Sequence, residues 1–433
     1  MEKEIAILKQ QPHKPQFSSN EQSSFSATKL LKKKDNNWHK AKRQKIEIDQ
    51  HVQLQEADTC DCGSKEFEII STTTKIVQGL IIKRNNTAYH GRRKKCRSCG
   101  KVFIPQIPAE VKGLSFDSNT QTITSFMKFA CRFTHPLLHT FFTGFGLQIS
   151  YGQITNMLQR NSKKLYPAYT YLRTIGIQKS LYLQSDATGT KRKRLVSNEV
   201  VNQHLHFLGN RFFSLFKITL KYNAEVMKQL VGRRGMKKVY LSDDASPNGS
   251  KLKIKKKQLD WIHEIRHYLK LWPKLKVHRT KAEAAIEQLL NFYHQAKDYK
   301  THPTTEKKIA VRQLFDAITQ QRTGFEALDR QLGLTKKKRE RLLVFLTYPF
   351  VPIDNNQAER DLREAVIIRK ISRETKSQAG DRSIERHLSV IQTAKKQGLN
   401  AFDTLHGLLT GNLPLTVLTT NFEPNVGYDK LFC

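Results

Sequence analysis

The sequence predicts an α/β protein, because strand-like and helical patterns follow one another along the chain. Four segments between 181 and 244 show the alternation or the short apolar run that is typical of strands. The segments 116–175 and 280–348 on either side have the pattern of helices. Two close pairs of cysteines lie between 60 and 99, ahead of both. We therefore expect a mixed core with helical additions, preceded by a small metal-binding module.

Composition limits the number of domains and the class of partner. A chain of 433 residues has room for about two to four domains. It carries 75 lysines and arginines against 38 aspartates and glutamates, a formal net charge of +37. Such an excess attracts polyanions and favours nucleic-acid binding through counterion release. Because we find no long apolar span and no signal peptide, we expect a cytoplasmic protein on nucleic acid and no membrane partner.

The first region, 1–50, is predicted to be a basic and disordered tail. Its segment 9–26 is rich in Gln, Ser and Pro, and two clusters of lysine and arginine follow at 29–34 and 40–45. With few large apolar residues after Leu8, the region cannot bury a core of its own. We expect it to bind phosphates without sequence preference.

The second region, 51–110, has the layout of a zinc ribbon. Cys60 and Cys62 form one pair, Cys96 and Cys99 the other, and a glycine follows each pair. The intervening segments 67–70, 75–77 and 81–83 alternate like strands. In a reducing compartment such pairs indicate a structural Zn²⁺ site rather than disulfides. The C-x-C spacing of the first pair departs from the usual C-x-x-C, so four reduced thiols or a degenerate site is the alternative.

The third region, 111–178, is predicted to be helical. Apolar residues recur at helical spacing around Phe126, and a glycine break at 144–146 precedes Ser150, a good N-cap for the next helix. Two interpretations stay open: a helix-turn-helix that contacts DNA, or helices that pack as a bundle.

The fourth region, 179–279, carries the predicted strands 181–186, 204–209, 212–218 and 238–244, with a helix near 224–231 before the last. A short strand at 259 turns into a further helix. Three successive strands, a helix and another strand is the order of a ribonuclease-H-like core. A helical insertion over 280–349 follows, and 350–433 completes the core with helices at 384–396 and 400–409.

Three carboxylates stand where this arrangement predicts a common site. Asp186 and Asp243 each end a strand, and Glu359 begins a helix. Phosphodiester chemistry uses such acids to hold two hard divalent cations. Each has a structural alternative: Asp186 and Asp243 as turn or cap residues, and Glu359 as the partner of Asn356 in a capping box.

Several short motifs occur in one order along the chain: Asp186-Ala187-Thr188-Gly189, Leu241-Ser242-Asp243-Asp244-Ala245, Trp261-Ile262-His263-Glu264-Ile265-Arg266-His267-Tyr268, Asp354-Asn355-Asn356-Gln357-Ala358-Glu359 and Thr393-Ala394-Lys395-Lys396-Gln397-Gly398-Leu399-Asn400. As an ordered set they resemble the motifs of DDE transposases of the insertion-sequence-sixty-six family. The resemblance covers about 180–410, together with the zinc-ribbon region. The family's N-terminal coiled coil is barely present here, so we expect a shortened N-terminus.

The resemblance implies a ribonuclease-H-like fold in which Asp186, Asp243 and Glu359 ligate two Mg²⁺ or Mn²⁺ ions. Asp244 competes with Asp243 for the second place, and we prefer Asp243 because it directly follows the strand. His263 and Asn356 would support the site. The family usually has a cysteine where Asp260 stands, so the role of that position is open.

The implied reaction is hydrolytic cleavage of DNA at the ends of an insertion element, followed by attack of the freed 3′-hydroxyl on target DNA. The implied partners are the terminal inverted repeats and target DNA, bound by a homo-oligomer in the prokaryotic nucleoid. Arg266, Arg360 and Arg363 are expected to contact phosphates, because a guanidinium suits them, although a solvated helix face would also carry arginines.

Two rival functions remain. One is a transposase descendant that binds DNA but has lost its chemistry. The other is a zinc protease, because residues 263–267 read H-E-x-x-H. The extended protease motif fails at Lys270, and Glu283 or Glu287 as a third ligand has no further support.

Overall fold

The computed structural model of the chain describes residues 48–422, except 55–58, 60, 67, 73, 79, 110, 194–198, 245–255 and 272. The predicted basic tail, apart from its last three residues, and Cys60 therefore lie outside the described residues. The chain divides into two units, one that ends at Asn85 and one that begins at Asn86.

The described part of the first unit contains no strand. The strands predicted at 67–70, 75–77 and 81–83 are therefore wrong for the residues described there. Ile69, Ile70 and Ile81 are exposed by 87%, 95% and 86%. A strand becomes stable when it pairs with a neighbour and buries one face, and these segments do neither. A turn forms at Cys62, and Gly63 after it has φ +87°.

The second unit begins with a hairpin around the other cysteine pair. Strands β1 (Lys94–Lys95) and β2 (Val102–Phe103) pair antiparallel. Between them the Cys96 amide donates to the Lys101 carbonyl at 2.8 Å, and Gly100 has φ +72°. The backbone N–H groups of Cys99 and Ser98 hold the pKa of the Cys96 thiol below its ordinary value.

A run of helices follows and confirms the helical prediction for this region. The first three helices are capped by side chains, and Ser150 forms a reciprocal capping box with Gln153. Their apolar faces, including Leu138 and Leu158, join the main hydrophobic core, as the bundle interpretation requires. The helices are α1 (Ser118–Phe129), α2 (His135–Gly144), α3 (Tyr151–Lys164), α4 (Tyr166–Tyr171) and, after a π-helical turn at Leu172–Gly176, α5 (Ile177–Lys179).

A five-stranded mixed sheet forms the centre of this unit, in the order β5-β4-β3-β6-β7. The first three strands pair antiparallel, and β6 and β7 are parallel to β3. Every strand predicted between 181 and 259 is present, and helix α6 (Ala224–Gly235) connects β5 to β6 as predicted. The strands are β3 (Tyr182–Lys193), β4 (Val200–Gly209), β5 (Ser214–Thr219), β6 (Val239–Ser242) and β7 (Lys256–Leu259).

Helices fill the stretch between β7 and the Asp-Asn-Asn segment. Trp261, at the start of α7, packs against Phe292 and Phe315 with ring centroids 4.4 and 5.9 Å away. Its amide also donates to the Ile353 carbonyl at 3.0 Å, so the start of α7 is joined to the segment that precedes α12. The helices are α7 (Trp261–Leu269), α8 (Lys276–Thr301), α9 (Thr305–Thr319), α10 (Glu326–Lys337) and α11 (Arg339–Leu342), with a 3₁₀ turn at Val344–Leu346.

Three helices end the described chain: α12 (Asn356–Ser372), α13 (Gln378–Lys396) and α14 (Ala401–Thr410), with a 3₁₀ turn at Leu415–Thr419. Helix α13 covers the outer edge of β5. Ser389 Oγ and Thr393 Oγ1 accept the amides of Phe216 and Ser214 at 2.9 and 3.1 Å. Side chains thus satisfy N–H groups that an edge strand would otherwise expose. No helix among the described residues is long and apolar enough to cross a membrane.

Candidate active site

The prediction that Asp186 ends a strand is wrong, because β3 continues through it to Lys193. Asp186 lies in the middle of β3, where that strand runs past the end of β6. Its Oδ1 accepts the amide of Ala187 at 2.7 Å. Burial, followed by the charges of Asp243 and Glu359, raises the pKa of the Asp186 carboxyl to about 6, although the Ala187 amide acts in the opposite direction. The second and third predicted acids therefore lie close enough to oppose ionisation of the first.

Asp243 reaches the site through the register of the parallel strands. Gln184 on β3 pairs with Leu241 on β6, so two residues later Asp186 and Asp243 stand at the same level. Neighbouring strands lie about 4.8 Å apart, which brings the two carboxylates together at the end of β6.

Asp244, the competitor for the second place, is occupied elsewhere. Its carboxylate forms ion pairs with Lys338 at 3.0 Å and Arg341 at 3.1 Å. Both partners belong to the end of the helical stretch before α12. The structure thus places Asp243 beside Asp186 and ties Asp244 to the neighbouring helices.

Glu359 is on the first turn of α12 and meets groups from α7. Its Oε1 lies 3.2 Å from Arg266 Nη1 and 3.9 Å from His263 Nε2. The glutamate side chain keeps 26% exposure, so it remains accessible to a ligand.

The capping box between Asn356 and Glu359, which was the structural alternative for Glu359, does not form. The N-cap of α12 is Asn355, and its side chain makes no cap bond. Asn355 is buried and instead donates to the Ser185 carbonyl at 2.9 Å and accepts from Gln184 at 3.3 Å. Two hydrogen bonds to β3 satisfy both the donor and the acceptor of this buried side-chain amide, whereas a cap bond to one helix N–H would satisfy only the acceptor. Asn355, which sequence reasoning passed over, therefore fixes the start of α12 beside the strand that carries Asp186.

Asp260 is the second residue that sequence reasoning left without a role. It caps α7 by accepting the Ile262 amide at 2.8 Å, and its other oxygen lies 2.6 Å from His263 Nδ1. This contact raises the pKa of His263 and directs Nε2 of the ring toward Glu359. One ligand atom from each of Asp260, His263 and Glu359 lies within 4.8 Å of the others, a spacing that can hold a metal ion. An aspartate three residues before a histidine at a helix start was the available signal.

The predicted phosphate-binding arginines occupy different surroundings. Arg266 pairs with Glu359 and also lies 3.3 Å from His263 Nε2. Arg360 is exposed and bonds to Gln357 at 3.0 Å, and Arg363 is exposed on the same helix. Among the three arginines, and within the described residues, only Arg266 contacts the carboxylate cluster formed by Asp186, Asp243 and Glu359.

The geometry argues against a zinc protease. Glu264, its required base, is 3% exposed and forms a buried ion pair with Lys338 at 3.0 Å. The same carboxylate accepts the hydroxyl of Thr335. Meanwhile His263 is oriented by Asp260 toward Glu359. A glutamate that is buried in an ion pair with Lys338 is not available to activate water at a metal.

Comparison with known proteins supplies the family. Residues 119–383 match the model of the family described as Transposase IS66 family. The uncharacterized protein y4jO of Sinorhizobium fredii (strain NBRC 101917 / NGR234) is 33% identical over 162 residues, which is 37% of this chain and 49% of that protein. The chain thus spans about half the length of this curated relative. Because the family match extends over more than half of the sequence and includes all three acids, the chain belongs to the IS66 family of transposases.

Proposed function

We propose that the chain is a DDE-type transposase that cleaves DNA at the ends of an insertion element and joins the freed strand to target DNA. The observation that carries the proposal is the convergence of Asp186, Asp243 and Glu359 from two parallel strands and a helix. The strand order, with β3 in the middle and two parallel strands on one side, is the one expected of a ribonuclease-H-like core. In an ordinary structural ion pair the pKa of a carboxylate falls, whereas here that of Asp186 rises.

Asp186, Asp243 and Glu359 would hold two Mg²⁺ or Mn²⁺ ions, the hard cations that carboxylates prefer. The donor set fits them, because three carboxylates meet at a half-buried place where burial and the charges of Asp243 and Glu359 disfavour ionisation of Asp186. When bound, the ions supply Lewis-acid activation of the attacking and leaving oxygens of a phosphodiester.

His263 and its neighbours are proposed to support this cluster. Asp260 holds the ring by Nδ1, so Nε2 faces Glu359 and can hydrogen-bond to its carboxylate or to a substrate oxygen. Arg266 pairs with the same oxygen of Glu359 and offers further N–H groups to a phosphate. Asn355 rather than Asn356 keeps α12 in place.

The whole-protein properties are part of the proposal. The net charge of +37 supports terminal-repeat and target DNA as partners, bound by a homo-oligomer in the nucleoid. We propose domains at 1–50, 51–110, 111–178 and 179–279, then an insertion over 280–349 and a C-terminal part over 350–433. Structural Zn²⁺ on the predicted cysteines also stays a proposal. In the second unit it is supported by the Cys96 hairpin, whose amides favour a thiolate.

The test is metal-dependent nicking of a duplex that contains the DNA flanking this gene. Asp186→Ala, Asp243→Ala and Glu359→Ala are each expected to lower the cleavage rate by at least about a thousandfold, because each removes a ligand. Asp244→Asn is the matched control, since it removes a neighbouring carboxylate that pairs with Lys338 and Arg341. It should leave the rate within about threefold of wild type.

Equal cutting by wild type and the three alanine variants would refute the site. Binding of the end DNA without any Mg²⁺- or Mn²⁺-dependent nicking by wild type would instead identify an inactive, DNA-binding descendant. Loss of nicking in Asp244→Asn but not in Asp243→Ala would move the second ligand by one residue.

A further inference from the structure

An open cleft of about 660 Å³ lies next to the candidate active site. One side is formed by the outer part of the β3–β4 hairpin and the other by the end of α12 and the residues after it. Lys191, Arg369 and Arg373 line it together with His204, and Glu374 is the only acid in its lining. Three cations against one carboxylate make this cleft a binding place for an anion.

The cleft is continuous with the carboxylate cluster. Arg369 Nη1 donates to Thr188 Oγ1 at 3.3 Å. Thr188 follows Asp186 by two residues on β3, so both side chains point to the same face, about 7 Å apart along the strand. Helix α12 runs from the candidate active site to this cleft, since Arg369 lies ten residues, or about 15 Å, beyond Glu359.

The walls of the cleft are held rigidly. Arg192, next to Lys191, forms a buried ion pair with Asp381 at 2.8 Å, and Gln203 donates to the same carboxylate at 3.0 Å. On the opposite wall the Lys193 amide donates to the Thr375 carbonyl at 2.8 Å, which ties the chain after α12 to the free edge of β3. A fixed hairpin and a fixed helix end keep the cations at constant spacing.

Arg373, between these attachments, has a strained backbone. Its φ of +59° and ψ of −147° are rarely adopted by a residue with a side chain. Such strain persists where the surroundings fix the backbone, and it concentrates at functional positions. Glycine would fit this conformation without strain, yet the chain has an arginine that faces the cleft.

We propose that this cleft binds the sugar-phosphate backbone of the DNA strand next to the phosphate that is cleaved. The inference rests on the proposed function for the identity of the polyanion. Arg369 and Arg373 contact neighbouring phosphates, and the scissile phosphate thereby reaches the carboxylates in a fixed register. Backbone contacts of this kind position DNA and read no sequence, so the cleft sets where the strand is cut.

The experiment combines substitutions in the full-length protein with neutral phosphates in the DNA. End duplexes carry a single methylphosphonate at each of the positions that flank the cut, and binding is measured without divalent metal. For wild type we expect one or two modified positions to weaken binding about tenfold. In Arg369→Gln or Arg373→Gly the same modifications should have no further effect, because the contact is already lost. Each variant should also reduce the salt dependence of log K by about one.

Two controls keep the result interpretable in so basic a protein. Lys228→Gln removes one exposed cation from α6, which contributes nothing to the cleft, and should retain the full methylphosphonate effect. Arg373→Gly relieves the backbone strain, so its melting temperature should not fall below that of wild type. Weak DNA binding by this variant therefore cannot be ascribed to unfolding.

If Arg369→Gln and Arg373→Gly are as sensitive to the methylphosphonates as wild type and still nick DNA, the proposed DNA contact in the cleft is wrong. The proposed function then remains. If the cleft variants lose the methylphosphonate effect but wild type shows no nicking, the proposed DNA contact in the cleft is supported and the proposed enzymatic function is refuted. If Lys228→Gln loses the methylphosphonate effect to the same extent, the effect is due to net charge, and the inference is also overturned.

Discussion

Asp186 is a carboxyl group whose surroundings oppose its own charge. Burial and the nearby acids place its folded-state pKa at about 6, above its ordinary 3.8. The group therefore favours folding fully below about pH 4, and this contribution is lost as the pH rises through about 6. Around neutral pH the metal-free protein is destabilised by an ionised side chain that the proposed function requires.

We predict that metal-free Asp186→Asn is more stable than wild type at pH 7.5, by on the order of 1–2 kcal/mol. The difference should shrink as the pH is lowered toward 5, because wild-type Asp186 then becomes protonated. Thermal unfolding in chelator between pH 5 and 8 measures it, with an expected gain of a few degrees at the upper end. Adding Mg²⁺ should raise the melting temperature of wild type more than that of the variant.

Asp244→Asn should change stability in the opposite direction from Asp186→Asn. It breaks favourable ion pairs with Lys338 and Arg341, so it should lower the melting temperature. A stability difference for Asp186→Asn that does not vary with pH would contradict the proposed environment of this carboxyl group.

The role of a residue could be predicted from the sequence when it depends on neighbouring residues, and could not when it depends on contacts with distant parts of the chain. Asp186 and Asp243 could be predicted because each follows a run of strand residues, a pattern visible within about six positions. Asn355 could not be told from Asn356, because the choice depends on a carbonyl of Ser185, 170 positions away. The role of Asp260 likewise depends on Glu359, which arrives from another helix.

Among the elements, the start of α12 is fixed against β3 by the buried side-chain amide of Asn355. Asn355 bonds to both Gln184 and Ser185, immediately before the strand residue Asp186. The same side chain thus locates the third acid relative to the first. At this scale the helices and strands of the core followed from periodicity, whereas their mutual placement depends on such long-range polar contacts.

We predict that Asn355→Ala lowers stability by about 1–3 kcal/mol, since it leaves buried polar partners without a bond. It should also lower the cleavage rate at saturating DNA, because Glu359 is no longer fixed beside Asp186. Asn356→Ala is the neighbouring control and should change stability by less than about 0.5 kcal/mol. Chemical denaturation and single-turnover cleavage measure the two effects. Equal losses in both variants would show that the helix start, rather than the Asn355 contacts, matters.

For the whole molecule, the sequence correctly indicated a mixed sheet, the connecting helix and a helical stretch between the second and third acids. It failed in the described residues between the cysteine pairs, where alternation suggested strands. Alternation of apolar and polar residues predicts a strand only when another element is present to bury the apolar face. Ile69 and Ile70 are almost fully exposed, so no such partner among the described residues covers them.

We predict about one zinc per chain in purified protein, measured by elemental analysis. Cys96→Ser with Cys99→Ser should remove it, because both thiolates come from the same hairpin. Lys101→Gln, in that hairpin but without a ligand atom, should retain the metal. Full zinc content in the double variant would show that these cysteines are not ligands.

The long helical stretch between β7 and α12 has a consequence for the timing of synthesis. Both aspartates leave the ribosome before this stretch, and Glu359 leaves about a hundred residues later. At ordinary translation rates the delay is on the order of ten seconds. Under the proposed function, a growing or prematurely terminated chain that ends before Glu359 carries two of the acids but cannot assemble the site of three carboxylates, so it cannot cut the DNA of its own gene.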